Sequence, residues 1–279
     1  MSAFSVKASQ QITVQIDLVV NRYLQKAVSL NRKSAPNPFV FALLKDFEPL
    51  IHNIHGLKTS LGTEMEKIAE IIANESWGKQ NVSRKSNLVV SLPQNVFQKI
   101  DTILNGLSNV KYHPNYLKEK SEIIDACVNA SNNFETHKYE IDLQLYNPIE
   151  NHHYYLEMKG PDPNTTEVPG AKKRLLALLA FGHINFKTTK VDSILGIYYN
   201  NMYPKPYKNP KVLNYFDPAG DMMVHDDFWN FIGKNSSTFS ELLQLFHDYG
   251  EKNKRKIWDG FSKLINLSNG TNPTTNPAS

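Results

Sequence analysis

Two short stretches of strict alternation, Lys138 to Tyr146 and Tyr154 to Lys159, interrupt a chain that otherwise reads mainly as helical. Strand side chains point to opposite faces with a period of two. In KYEIDLQLY, Tyr139, Ile141, Leu143 and Leu145 therefore share one face, and Glu140, Asp142 and Gln144 the other. In HYYLEMKG, Tyr155, Glu157 and Lys159 lie on one face and Tyr154, Leu156 and Met158 on the other. The link Asn147-Pro148-Ile149-Glu150-Asn151 is rich in turn formers, so the two stretches predict a hairpin. Centred there, it pairs positions whose numbers sum to about 299 and sets Asp142 opposite Glu157.

The flanks set the fold class. Residues from about Gln10 to Ala130 show helical periodicity, broken by expected loops at Arg32 to Pro38, Gly78 to Asn87 and Lys111 to Asn115. After the hairpin, Ala171 to Phe181 predicts a helix and Ser193 to Tyr199 an apolar, aromatic strand. Asp226 to Ile232, Phe239 to Tyr249 and Lys254 to Leu267 predict three further helices. The expectation is one α/β domain over 1–267. It comprises an α-rich N-terminal half (about 1–130), a core around the hairpin (about 131–235) and a helical C-terminal part (about 236–267). The polar stretch 268–279 reads as a disordered tail.

Composition narrows the class of function. Hydrophobic residues make up 41% of 279, enough to fill a core. The single Cys127 excludes an internal disulfide and any cysteine-rich zinc site. The N-terminus lacks a basic start followed by an apolar run, and the longest apolar run, Leu175 to Phe181, is far short of the roughly 20 residues of a membrane helix. A cytoplasmic protein is expected. Lys plus Arg exceed Asp plus Glu by 31 to 27, which permits a polyanionic partner without requiring one.

Two carboxylates a few ångströms apart repel, and the usual remedies are a shared proton, a neighbouring lysine or a hard divalent cation. An ordinary solvated hairpin face with a Glu–Lys pair is the plain alternative. Two features favour a site. The turn-rich Gly160-Pro161-Asp162-Pro163-Asn164 ends the second strand just after Lys159. On the predicted helix His55 to Asn74, Glu64 falls within the apolar stripe Leu57, Leu61, Ile68 and Ile71, where a carboxylate needs a partner unless it reaches solvent from the edge. A glycosidase built on Asp142 and Glu157 would want tryptophans lining a sugar cleft, and Trp77, Trp229 and Trp258 are scattered.

Asp142 and, after fourteen intervening residues, Glu157-Met158-Lys159 resemble the D…(D/E)xK signature of the PD-(D/E)xK nucleases. Glu64 in LGTEMEKIAEII resembles the acid that many of them carry on an early helix. More narrowly, KTSLGTEMEKIA, EIDLQLYN, YLEMKGPDPNTTEVPGAKKRLL and DDFWNFIGK resemble type II restriction enzymes that cut GGNCC. Ile141 stands where the family's proline usually precedes the first aspartate.

The resemblance implies a mixed sheet flanked by helices and Mg²⁺-dependent hydrolysis of double-stranded DNA. It also implies a homodimer on a palindromic site and a cognate DNA methyltransferase as functional partner. Asp142, Glu157 and the Met158 carbonyl would hold Mg²⁺, Lys159 would act on the water and phosphate, and Glu64 would be a supporting catalytic acid. A repair or recombination nuclease sharing this metal site, and a non-catalytic DNA-binding protein of the same fold, are the competing readings.

Two basic segments are candidate DNA contacts. Lys172, Lys173 and Arg174 are expected to open the helix after the hairpin, where the macrodipole disfavours cations unless an anion such as a phosphate docks. Three solvated charges are the alternative. Tyr203 to Lys211 interleaves bases and aromatics, with Lys205, Tyr207 and Lys208 as candidates, though a plain Pro-rich surface loop has the same composition. His52 and His55 read as surface or packing residues, and Asp217, Asp221, Asp226 and Asp227 as turn and helix-start acids.

Overall fold

A computed structural model describes residues 2–29, 48–186 and 189–269. The chain divides into two compact units, Met1–Ser5 with Glu66–Glu241, and Val6–Met65 with Leu242–Ser279. Each is described by itself. The loop expected at Arg32 to Pro38 lies outside the described residues, as does the tail beyond Asn269; Ser268 and Asn269 close the last helix.

The first unit is built on a mixed sheet of five strands in the order β1-β2-β3-β4-β5. They are β1 (Val82–Pro93), β2 (Phe134–Asn147), β3 (His152–Lys159), β4 (Lys190–Ile197) and β5 (Met222–Val224). The first three run antiparallel to their neighbours, and β4 and β5 add parallel. Helices α1 (Val6–Ser29), α2 (Glu48–Ala73), α3 (Gln94–Ser108), α4 (Tyr116–Val128), α5 (Glu167–Asn185), the one-turn α6 (Pro210–Leu213), α7 (Asp226–Gly233), α8 (Thr238–Lys252) and α9 (Lys254–Asn269) complete the described residues. This is the α/β architecture expected, with helices prominent in the N-terminal half. None of the described helices is long and apolar enough to cross a membrane.

The hairpin forms in the expected register: Leu143 pairs with Leu156 and Asn147 with His152. Ile141, Leu143 and Leu145 are buried, so the alternation is spent on the core. The segment from Gly78 to Asn87, expected as a loop, instead leads through a helical turn into β1, which pairs along nearly the whole of β2. Its more buried face carries Val82, Arg84, Ser86 and Leu88 before the apolar Val90 and Leu92, so polar residues mask its period of two. Arg84 is accommodated there because its Nε donates to Glu70 at 2.6 Å.

The crossover from β3 to the parallel β4 is α5. It is buried on nearly every side, with Val168, Ala171, Leu175, Leu176, Leu178 and Leu179 all in the core. A helix apolar all round must be covered all round. Strands β1, β3 and β4 cover one flank, and α3 and α4 the other. Gly182 makes the close approach possible, since a Cβ there would lie 2.7 Å from Val191 Cγ1. In the other unit, α1 meets α9, with Tyr23 and Phe261 ring centroids 6.0 Å apart, and Tyr249 donates to Asp17 at 2.7 Å.

Candidate active site

The hairpin and α5 bring one charged cluster together at the end of β3. Glu157 is buried, pairs in register with Leu195 of β4, and presents Oε1 to Lys159 Nζ at 2.7 Å. The same oxygen accepts from the Arg174 guanidinium, which reaches it from α5. Asp142 Oδ2 accepts from the main-chain N–H of Met158 at 2.7 Å, which fixes its carboxylate beside Glu157. The cluster therefore contains Asp142, Glu157 and Lys159, the three residues picked out by alternation.

Asp142 sits at a gap in the ladder. On its β1 side, Arg84 pairs with Leu143 and Ser86 with Ile141, and Lys85 between them takes φ of 50°. For a residue with a Cβ this left-handed conformation is unusual within a strand. Lys85 Nζ lies 3.1 Å from Glu66 and 3.8 Å from Glu140. Glu66, then Glu140 and Asp142, raise its pKa.

Burial first, and the charge of Glu157 second, push the Asp142 carboxyl up to about 6. The Met158 N–H and Lys159 pull against them, while Glu66 adds to the rise. A carboxylate this reluctant to ionise, next to a second one, is a place where a divalent cation would relieve real repulsion.

The bonds named use Asp142 Oδ2 and Glu157 Oε1, leaving one oxygen on each carboxylate without a hydrogen bond from the described residues. With a nearby main-chain carbonyl, these are hard oxygen donors of the kind that suit Mg²⁺ or Ca²⁺. Among the described residues, no group of three or more His, Cys, Asp and Glu side chains is arranged to hold a metal.

The other candidates fall elsewhere. Glu64 is fully buried, as its stripe position predicts, but its Oε1 accepts from Arg22 Nη1 at 2.9 Å within the helical unit. The acid of α2 that bears on Asp142 is Glu66. The two differ by two positions, about 200° around a helix, so a stripe that holds one turns the other away.

Lys172 corrects the expectation of a phosphate contact. It has no exposed surface, and its Nζ lies 2.5 Å from both Glu119 and Asp221. A lysine sealed between two carboxylates is not available to DNA. The helix also starts earlier than expected, at Glu167, so 172–174 occupy its second turn and the macrodipole argument does not apply. Lys173 is partly exposed and pairs with Asp101 at 2.6 Å. Of the three cations, only Arg174 reaches the hairpin carboxylates.

Lys205 and Lys208 are exposed on the segment that follows β4. Tyr207 is half-buried; its hydroxyl donates to the Pro161 carbonyl at 2.8 Å, and Asn209 donates to the same oxygen at 3.0 Å. Lys211 adds an ion pair to Asp162 at 2.9 Å. These bonds tie the basic segment to the turn that follows Lys159, and they give Tyr207 a holding role in the fold.

The family model described as "HinfI: Type II restriction endonuclease, HinfI" matches residues 8–250, most of the chain. No curated protein matches it.

Proposed function

The chain belongs to the HinfI family of type II restriction endonucleases and is a site-specific deoxyribonuclease acting on double-stranded DNA, and from that membership we propose that it cuts at Asp142, Glu157 and Lys159 with Mg²⁺ as cofactor. The observation that carries this reading is the pairing of two carboxylates beside a lysine, with the Asp142 pKa raised to about 6.

Asp142, Glu157 and the Met158 carbonyl would hold the cation. When bound, it supplies Lewis acidity toward the phosphate and lowers the pKa of a water. Lys159 keeps its ammonium beside the same carboxylate and offsets charge that builds on the phosphate in the transition state. Asp142 must be ionised to hold the cation, and a bound cation favours that form over the protonated one that burial and Glu157 favour without it. Glu66, holding Lys85 beside Asp142, takes the supporting place that the family resemblance suggests for Glu64.

Lys173, Arg174, Lys205 and Lys208 are assigned to the DNA backbone, and Tyr207 to holding their loop. A palindromic site read by a homodimer follows from the symmetry of such sites, with GGNCC as the sequence the resemblance implies and a separate methyltransferase protecting it.

Digestion of a long DNA of known sequence, with and without Mg²⁺, followed by sequencing of the fragment ends, tests the reading. Discrete Mg²⁺-dependent fragments ending at GGNCC are expected. Discrete ends at another sequence would discard that specificity and keep the enzyme; a smear would point to a structure-directed nuclease, and uncut DNA in every buffer to a binding protein.

A further inference from the structure

We propose that Arg174 gates the cation site: without DNA its guanidinium occupies Glu157 together with Lys159, and the scissile phosphate draws it away, so that the divalent cation enters once DNA is seated. The inference depends on the nuclease reading above and adds to it that cation uptake is conditional on substrate.

The first support is stoichiometric. Glu157 Oε1 already serves two cations, Lys159 at 2.7 Å and Arg174. At the hairpin carboxylates themselves, Asp142 and Glu157 are offset by Lys159 and Arg174, two charges against two, while Lys85 answers Glu66 and the more exposed Glu140 to one side. A divalent cation entering beside Asp142 and Glu157 meets two carboxylates whose charge Lys159 and Arg174 already offset. A phosphodiester brings the missing anion and a new partner for one of them.

The second support is the state of the guanidinium. Arg174 Nε is buried and donates to no acceptor among the described residues. A buried donor left unmade is costly, and in a native structure it asks for an explanation. A guanidinium presents a planar fork that matches two phosphate oxygens, whereas in the free protein it is held by one carboxylate oxygen. Its side chain is 30% exposed while that of Glu157 is 6% exposed, so Arg174 approaches from the side open to solvent. Lys172, two residues earlier on α5, shows the contrasting arrangement, in which a cation is enclosed by its carboxylates.

Linkage makes the gate measurable, because a factor by which DNA tightens cation binding is the factor by which the cation tightens DNA binding. The experiment is calorimetric titration of Ca²⁺, a hard oxygen-seeking probe, into the full chain with and without a duplex carrying the mapped cut site. Wild type, Arg174→Gln and Arg174→Lys are compared. In free protein, Arg174→Gln is expected to bind Ca²⁺ about tenfold more tightly or better, because a cation at the ligand is gone. Arg174→Lys keeps the charge and is expected to stay near wild type.

With DNA, wild type is expected to tighten strongly and Arg174→Gln much less, with its single-turnover cleavage also reduced. A folded Arg174→Gln whose Ca²⁺ affinity in free protein equals that of wild type overturns the gate. Should that variant fail to fold, wild-type Ca²⁺ affinity unchanged by DNA overturns it equally. Failure of the nuclease reading is separate: it would show as wild-type protein leaving long DNA uncut in Mg²⁺, whatever the titrations give.

Discussion

Two charge clusters hang on one helix, two residues apart, and they have opposite characters. Lys172 is sealed, with Glu119 and Asp221 each 2.5 Å from its Nζ and the Phe216 ring 5.0 Å away. Asp221 also accepts from the Asp217 N–H at 2.8 Å, and Glu119 from that of Asn115 at 3.1 Å. The cluster around Glu157 is part exposed, keeps carboxylate oxygens in reserve and leaves Arg174 Nε unmet. Successive helix positions turn by about 100°, so neighbours in sequence need not share an environment. A buried cation enclosed by two carboxylates serves the fold, and a part-exposed one with an unmet donor is ready to take a ligand.

The largest effect expected from breaking this contrast is chemical. Glu157→Ala or Lys159→Ala should lower cleavage by roughly 10³-fold or more, the scale of losing one essential transition-state contact. The two should differ in binding. Glu157→Ala leaves Lys159 and Arg174 without their shared anion, so DNA affinity measured without metal should hold or rise, and Lys159→Ala should lower it. Equal loss of binding in both, with altered unfolding, would point to a folding defect instead.

Next comes the sealed cluster. Lys172→Met leaves two buried carboxylates without their cation, which should cost about 3–5 kcal/mol in denaturant unfolding. The triple variant Lys172→Met, Glu119→Gln, Asp221→Asn should recover most of that loss, since neutral groups no longer need the charge. Cleavage per folded molecule should stay within a few-fold of wild type in the triple variant. A loss as large as that of Lys159→Ala would break the division between the two clusters.

A smaller effect separates them by pH. Asp142 has its pKa raised from 3.8 to about 6, chiefly by burial and then by Glu157. A raised acid favours the protonated folded form, so its contribution to stability is full below about pH 3.8 and lost as pH rises through about 6. Asp142→Asn should therefore be more stable than wild type at pH 8 by up to about 3 kcal/mol without metal, and the gap should close by pH 4. The same variant should lose cleavage in Mg²⁺ at pH 8, since an amide cannot replace the charged ligand. Equal stability at pH 8 would mean that neither burial nor Glu157 strains the Asp142 carboxylate.

Much of this was legible in the residues. Alternation with a turn-rich link is local, so the hairpin, its register and the convergence of Asp142, Glu157 and Lys159 could be read off directly. Helix α5 was legible as a continuous apolar run, and α7, α8 and α9 by their apolar period. What stayed hidden is non-local. Strand β1 carries Arg84 and Ser86 on its inner face, and only the ladder with β2 and the Glu70 partner make that tolerable. Three consecutive cations, Lys172 to Arg174, read as one basic patch until the helix turned one inward, one outward and one to the hairpin. Glu66 has no apolar stripe to advertise it, and its bond to Lys85 depends on a backbone conformation that no composition announces.

That conformation supports the smallest test. Lys85 at φ of 50° costs about 1 kcal/mol that glycine would not, while its pair with Glu66 at 3.1 Å is partly exposed and worth about 0–1 kcal/mol. Lys85→Gly should therefore change stability by less than about 1 kcal/mol, the two effects offsetting. If the strained residue belongs to the open cluster, cleavage should fall clearly despite that near-neutral stability, because Asp142 loses a neighbouring cation and Glu66 loses its partner. Lys85→Ala, which keeps the backbone penalty and removes the charge, should lose both stability and cleavage. Unchanged single-turnover cleavage in both variants would confine the open cluster to the hairpin and α5, and would leave the strain at Lys85 as a feature of the ladder alone.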